Sequence, residues 1–341
     1  MIALPAHQDN GLIIAPHVVI LGAGASIAMT LLNSEITKKK LPSMNNLVEL
    51  VGLTTLLDDY DINYEDKNFE ELFSELKKSS KYKILTDKIE ERIYKYFSSM
   101  KLSPDVTIYD YLIMSLTKND VIATFNWDPF LIQALSRCSK YTNNLPDLIF
   151  LHGNVGVGVC YEDTTVGHID KKCGRCGKAF EATPLLYPIG KKDYSSNPLI
   201  KSEWDRLRDY LSTAYFVTIY GYSAPVSDYE AKKLMLDIWR KSKSMQIGEF
   251  EIIDIQHEEK LLETWKDFIH NDHVIISNNI FDSYLFNHPR RATTDLFQAT
   301  MMLNPQEENP ILKCTSLNEL YDWVKPLIDA EENQEKSIIE K

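Results

Sequence analysis

The junction Val18-Val19-Ile20-Leu21-Gly22-Ala23-Gly24-Ala25-Ser26 constrains this chain more than any other feature. Four consecutive apolar residues, mostly β-branched, make a strand buried on both faces. That is the pattern of a parallel sheet covered by helices. The strand ends in Gly-x-Gly and passes into small residues that can open a helix. Gly22 permits the tight turn. Gly24 lets a bulky anion approach the backbone, where the helix N-terminus offers N–H groups and its dipole. The third glycine of the usual Gly-x-Gly-x-x-Gly is replaced by Ile27. A tight strand–helix turn with no ligand is the competing reading.

Five further apolar runs, at 121–125, 148–151, 216–220, 251–255 and 274–276, read as strands of the same sheet. Helical spacing follows several of them, at 129–137, 227–241 and 261–269. The expected fold is α/β: a Rossmann-like parallel sheet with a helical insertion and a small zinc-ribbon-like insertion. Residues 12–40 and 117–300 form the core. Residues 41–116 are the helical insertion, 155–183 the ribbon-like one, and 301–341 a C-terminal helix and tail, frayed from 330 onward. The chain of 341 residues carries 49 acidic and 37 basic side chains, a formal net charge of −12. Direct binding to nucleic acid is disfavoured by that balance. The apolar runs are too short to cross a membrane and the N-terminus has no signal-peptide pattern, so a cytoplasmic protein is expected.

Two strand ends carry polar residues that ligands of open α/β sheets commonly meet. One is Thr124-Phe125-Asn126-Trp127-Asp128-Pro129, the other His152-Gly153-Asn154. In isolation, local turns and helix caps are the better explanation of Asn126 and Asp128. Together with the glycine turn after 18–21, these two ends favour a shared pocket. Downstream, Cys160, His168, Cys173 and Cys176 supply four ligands for a tetrahedral structural metal, with a metal-free loop or a redox pair as alternatives. Cys138 and Cys314 read as buried apolar fillers. Arg290-Arg291 reads as a solvated pair rather than an anion contact, and Asp254 either as a ligand contact or as a loop cap.

In combination these motifs resemble the sirtuin-like NAD-binding family, most closely the prokaryotic sirtuin-like NADases of antiphage defence. The resemblance implies that Gly22, Ala23, Gly24, Ala25 and Ser26 form a phosphate loop. It implies that Thr124, Asn126 and Asp128 hold the nicotinamide ribose, and that Gly221 and Ser223 close on the adenine-side phosphates, with Asp254 at the adenine ribose. His152 would be catalytic together with Asn126 and Asp128, and the cysteines would hold a structural Zn2+. The Gly-Ile-Pro-Asp-Phe-Arg stretch of deacylating sirtuins is absent, since the chain reads Ile27-Ala28-Met29-Thr30-Leu31-Leu32. Their Phe-Gly-Glu loop is replaced by Pro184-Leu185-Leu186-Tyr187-Pro188. The implied activity is therefore hydrolysis of NAD to nicotinamide and ADP-ribose, as an NAD-depleting antiviral defence effector. Protein deacylation and non-enzymatic NAD or ADP-ribose binding are the alternatives. The helical insertion offers a surface for a second copy or a defence-system partner protein, or equally a lid over the pocket.

Overall fold

The computed structural model describes residues 8–9, 12–13, 15–32, 40–187, 194–225, 228–242, 247–270 and 272–339. Its strands are β1 (Gln8–Asp9), β2 (Leu12–Ile13), β3 (His17–Leu21), β4 (Val121–Thr124), β5 (Asp147–Phe150), β6 (Val157–Cys160), β7 (Thr165–His168), β8 (Glu181–Ala182), β9 (Phe216–Tyr220), β10 (Glu249–Ile253) and β11 (Val274–Ser277). The helices are α1 (Ala23–Leu32), α2 (Leu47–Val51), α3 (Thr54–Asp58), α4 (Phe69–Lys77), α5 (Lys83–Ser98), α6 (Ile108–Met114), α7 (Phe130–Cys138), α8 (Pro198–Thr213), α9 (Tyr229–Trp239), α10 (Glu258–Trp265), α11 (Tyr284–Asn287), α12 (Ala292–Met301) and α13 (Leu317–Ile339).

Six strands form one sheet in the order β11-β10-β9-β3-β4-β5, and every neighbouring pair is parallel. Numbered along the chain, that is the order 3-2-1-4-5-6 of the dinucleotide-binding fold. Its switch point lies between β3 and β9, where consecutive connections leave in opposite directions. Alternate side chains of β3 explain the layers. Val19 and Leu21 join the core under α4 to α7 and α13, whereas Val18 and Ile20 join the core with Trp204 of α8, Met235 of α9 and Trp265 of α10. The α/β class, the helical insertion and a small three-stranded ribbon, β7-β6-β8, all agree with the sequence reading. Among the described residues no helix is long and apolar enough to cross a membrane.

Four expectations change. The run expected at 251–255 pairs as Glu249–Ile253, and Ile255 is 90% exposed. Where a frayed end was expected from 330, α13 runs on as helix to Ile339, anchored earlier by buried Leu320, Val324 and Ile328. Arg290 is not a surface cation. It is buried, with backbone φ of 67°, and its guanidinium grips Glu331 of α13 through both carboxylate oxygens at 2.7 Å. It also donates to the carbonyls of Met114, Leu116 and Asn144. Cys138 is buried as expected, while Cys314 is only half-buried.

Candidate active site and metal cluster

At the switch point two glycine loops touch. Gly22 N–H donates to Tyr220 O at 3.0 Å, and Gly24 N–H donates to Gly221 O at 2.9 Å. A side chain at Gly24 would meet Gly221 O at 2.8 Å, and one at Gly221, whose φ is +61°, would meet Ala25 N at 2.3 Å. The glycine at 24, expected to admit a pyrophosphate, instead admits the backbone of the neighbouring loop. Ala23 stays exposed at the first turn of α1, Ala25 is buried, and Ser223 is exposed beyond Gly221.

The end of β4 lies beside this contact. Thr124 Oγ1 accepts the Asn126 N–H at 3.0 Å, which turns the chain so that the Asn126 side chain meets the glycine turn. Asn126 Nδ2 donates to Gly22 O and to Ser26 Oγ, both at 2.9 Å. Ser26 Oγ donates to Asp128 Oδ2 at 2.8 Å and lies 2.5 Å from the hydroxyl of Tyr109 on α6. Asp128 Oδ1 accepts the Phe130 N–H at the start of α7. Burial lifts the Asp128 carboxyl to about 6, opposed chiefly by the Ser26 hydrogen bond. Ser26, expected to touch phosphate, is 1% exposed and fully engaged inside the protein.

His152 leaves the end of β5 into an aromatic box. Phe125 meets its ring edge-on at 4.8 Å, and Tyr194 stacks at 5.9 Å with its hydroxyl 3.5 Å from Nε2. Tyr222 of the second glycine loop stacks on Phe125 at 4.2 Å. Gly153 has φ of +72°, and a Cβ there would sit 2.1 Å from Pro184 O, so the His-Gly pair needs glycine for that approach. Asn154 joins the two strand ends. Fully buried, it donates to Asn126 O at 3.1 Å and to Asp128 O at 2.6 Å, while its Oδ1 accepts the Gly156 N–H. Sequence reasoning assigned no role to Asn154 or Tyr109. The first had one signal, its place directly after His152-Gly153, and the second had none inside an apolar helix.

Asp254 lies apart from this cluster, two strands away from β3 at the end of β10. Its Oδ1 accepts the Gln256 N–H at 3.0 Å, and it lines a depression of about 540 Å³ with Gln256, His257, Glu258, Ser277 and Asp282.

The ribbon gathers Cys160, Cys173 and Cys176, and its fourth donor is Asp163. Cys160 Sγ is 3.4 Å from Cys176 Sγ, and Asp163 Oδ2 is 3.1 Å from Cys173 Sγ and 3.8 Å from Cys160 Sγ. A tetrahedral zinc with its usual bond lengths sets its sulfurs about 3.8 Å apart and sulfur–oxygen pairs about 3.5 Å apart. The cluster is therefore compatible with a structural zinc ion. His168, expected as a ligand, lies outside it, and its Nδ1 accepts the Asp170 N–H at 3.2 Å. The knuckle is shaped by Cys173 N–H to Lys178 O at 2.8 Å and Gly177 N–H to Cys173 O at 2.9 Å.

No family model matches the sequence, and no curated protein matches it. Among solved structures, a Sir2 enzyme studied for mechanism and regulation is 16% identical, with 93% of this chain and 94% of that one covered and a TM-score of 0.38. A Sir2 homologue in complex with NAD is 15% identical, covering 84% and 90%, with a TM-score of 0.38. A Sir2 enzyme bound to a propionylated peptide is 15% identical, covering 84% and 92%, with a TM-score of 0.36. Likeness of that size leaves activity to be argued from this chain's own residues.

Proposed function

We propose that this chain hydrolyses NAD at the bond between nicotinamide and ribose, releasing nicotinamide, ADP-ribose and a proton. One observation carries the reading. At the switch point of a 3-2-1-4-5-6 sheet, where dinucleotides lie, Asn126 is tied by its amide nitrogen to Gly22 O and Ser26 Oγ. Its Oδ1 is then left to accept from a sugar hydroxyl or a water. Nicotinamide leaves as a neutral ring from a cationic one, so the protein needs no strong acid. His152, in its aromatic box, would take the proton of the attacking water or of a ribose hydroxyl. Asp128 would offset the positive charge that develops on the sugar. Ala23 and Ser223 are the exposed members of the two glycine loops and would face the pyrophosphate. The depression around Asp254 would receive the adenine end.

Zinc, where bound, would hold the ribbon through Cys160, Asp163, Cys173 and Cys176, and it would supply folding energy rather than chemistry. Deacylation is disfavoured by Tyr187. In the loop that would line an acyl channel, its ring packs on Trp127 and Phe73, and its hydroxyl donates to Glu90 O at 3.2 Å. The resemblance drawn from the sequence extends the reading to NAD depletion in antiviral defence, by a cytoplasmic protein acting with a second copy or a partner.

The test is chromatography of NAD incubated with pure protein, dilute and concentrated. Nicotinamide and ADP-ribose should appear together, and Asn126→Ala or His152→Ala should each slow their release by about a hundredfold or more. Full activity in both variants would refute the site. O-acetyl-ADP-ribose formed with an acetyl-lysine peptide would restore the deacylase reading.

A further inference from the structure

We propose that Tyr109, from the helical insertion, is a positioning residue for the nucleotide-cleaving site: through Ser26 it fixes which end of the Asn126 amide faces the sugar. The inference rests on the proposed NAD cleavage for its kinetic consequence, not for its geometry. A serine hydroxyl has one proton and two acceptor positions. The Ser26 proton goes to Asp128 Oδ2, an acceptor when ionised. Both remaining neighbours must then donate: Asn126 Nδ2 at 2.9 Å and the Tyr109 hydroxyl at 2.5 Å. If the Asn126 amide turned over, its oxygen would face Gly22 O and a Ser26 oxygen with no proton left. Gly22 O and the Ser26 oxygen would then both oppose an acceptor, and donation from Tyr109 keeps the Ser26 proton on Asp128, so Ser26 cannot turn it to meet a reversed amide.

The helix holding Tyr109 is anchored for this task. All seven residues of α6 are buried, and Thr107 and Asp110 form a capping box at its start. Arg137 of α7 donates to both Asp110 oxygens and to Ser103 O. At its other end Arg290 holds the Met114 and Leu116 carbonyls. Tyr109 itself is 1% exposed, and burial keeps its phenol protonated, so it has a proton to give. Its titratable neighbours are Asp128 and, on β9, Tyr220. Donation by Tyr109 also polarises the Ser26 O–H and strengthens its bond to Asp128. The helical insertion thereby reaches the reacting centre.

The experiment is the pH dependence of kcat and KM for Tyr109→Phe, Ser26→Ala and the double variant. Tyr109→Phe should lower kcat about tenfold with KM within about twofold, and should move the acid limb to higher pH as Asp128 loses support. The double variant should be no slower than Ser26→Ala. Unchanged kcat and acid limb, with only a lower Tm, would reduce Tyr109 to packing and overturn the proposal; so would losses that multiply. Should Tyr109→Phe fail to fold, Ser26→Ala must show the same kcat loss and limb shift, and a normal Ser26→Ala overturns the proposal. If the wild type releases no nicotinamide, the proposed activity fails while the positioning remains testable. The Asn126 side-chain amide, seen by NMR after asparagine-selective labelling, should shift and exchange faster in Tyr109→Phe. An unchanged amide would refute the positioning.

Discussion

Glu251→Gln should stabilise this protein at neutral pH and leave it unchanged in acid. The Glu251 carboxyl is fully buried on β10, with Thr218 Oγ1 donating at 2.9 Å and the Tyr284 N–H donating at 2.6 Å. Burial raises its pKa from 4.5 to about 7. Below pH 4.5 the carboxyl is protonated folded or unfolded, and no penalty exists. As pH rises through that value the unfolded chain releases its proton while the folded chain keeps it until about 7. Stability from this group therefore falls across the window and is flat above it. At 1.36 kcal/mol per pKa unit the loss is about 3 kcal/mol. A glutamine amide can accept from Tyr284 N–H and donate to Thr218 with no proton to lose. His17, whose Nε2 is 2.7 Å from Thr218 Oγ1, is pushed down to about 3 by burial. Its contribution has the opposite sign, rising with pH, but it is common to both proteins and cancels in the difference. Urea unfolding at pH 4, 6 and 8 should show a difference near zero that grows to about 3 kcal/mol. A difference independent of pH, or a wild type more stable at pH 8, would refute the argument.

Gly221→Ala should cost more than 2 kcal/mol on denaturation, because its Cβ would press on Ala25 N, whereas Gly52→Ala, with φ of +74° and nothing within 4 Å, should cost about 1 kcal/mol. Asp163→Ala should lower zinc content in purified protein by elemental analysis, and His168→Ala should leave it unchanged; the reverse would return the fourth ligand to His168. Arg290→Met should destabilise by about 3–5 kcal/mol, since Glu331 and three carbonyls lose their partner; a loss under about 1 kcal/mol would show the pair to be dispensable.

The sheet was legible because its strands are short and apolar, and all but β11 are buried on both faces. The β10 boundaries moved from the reading because Glu249 looks like a solvent-facing residue, yet it is buried beside His273, as Glu251 is with Thr218 and Tyr284, while Ile255, which looks like core, is exposed. The polar composition after 330 hid the continuation of a helix whose anchor, Arg290, lies 41 positions upstream of its partner. Local reading cannot see such a pair. The same holds for the site. The strand-end motifs pointed to Asn126, Asp128 and His152, but Tyr109 reaches Ser26 across 83 positions, from a helix that reads only as core. In the ribbon, residue type favoured histidine, and turn geometry chose Asp163.

The order of the sheet also sets a timetable for synthesis. Strand β3 is made first, yet its groups find partners late: the His17 backbone N–H donates to Asp120, 103 positions on, and the His17 ring meets Thr218, 201 positions on. At translation rates of roughly 5–20 residues per second, the second partner arrives about 10–40 seconds after the first strand. Through that interval an apolar strand, the glycine turn after it and a half-built sheet edge stand uncovered, an invitation to wrong pairing. The helical insertion falls in the first half of that wait. Its amphipathic helices can form locally and cover one face of β3 before either neighbouring strand exists, so deleting it should leave a nascent chain that aggregates on the ribosome.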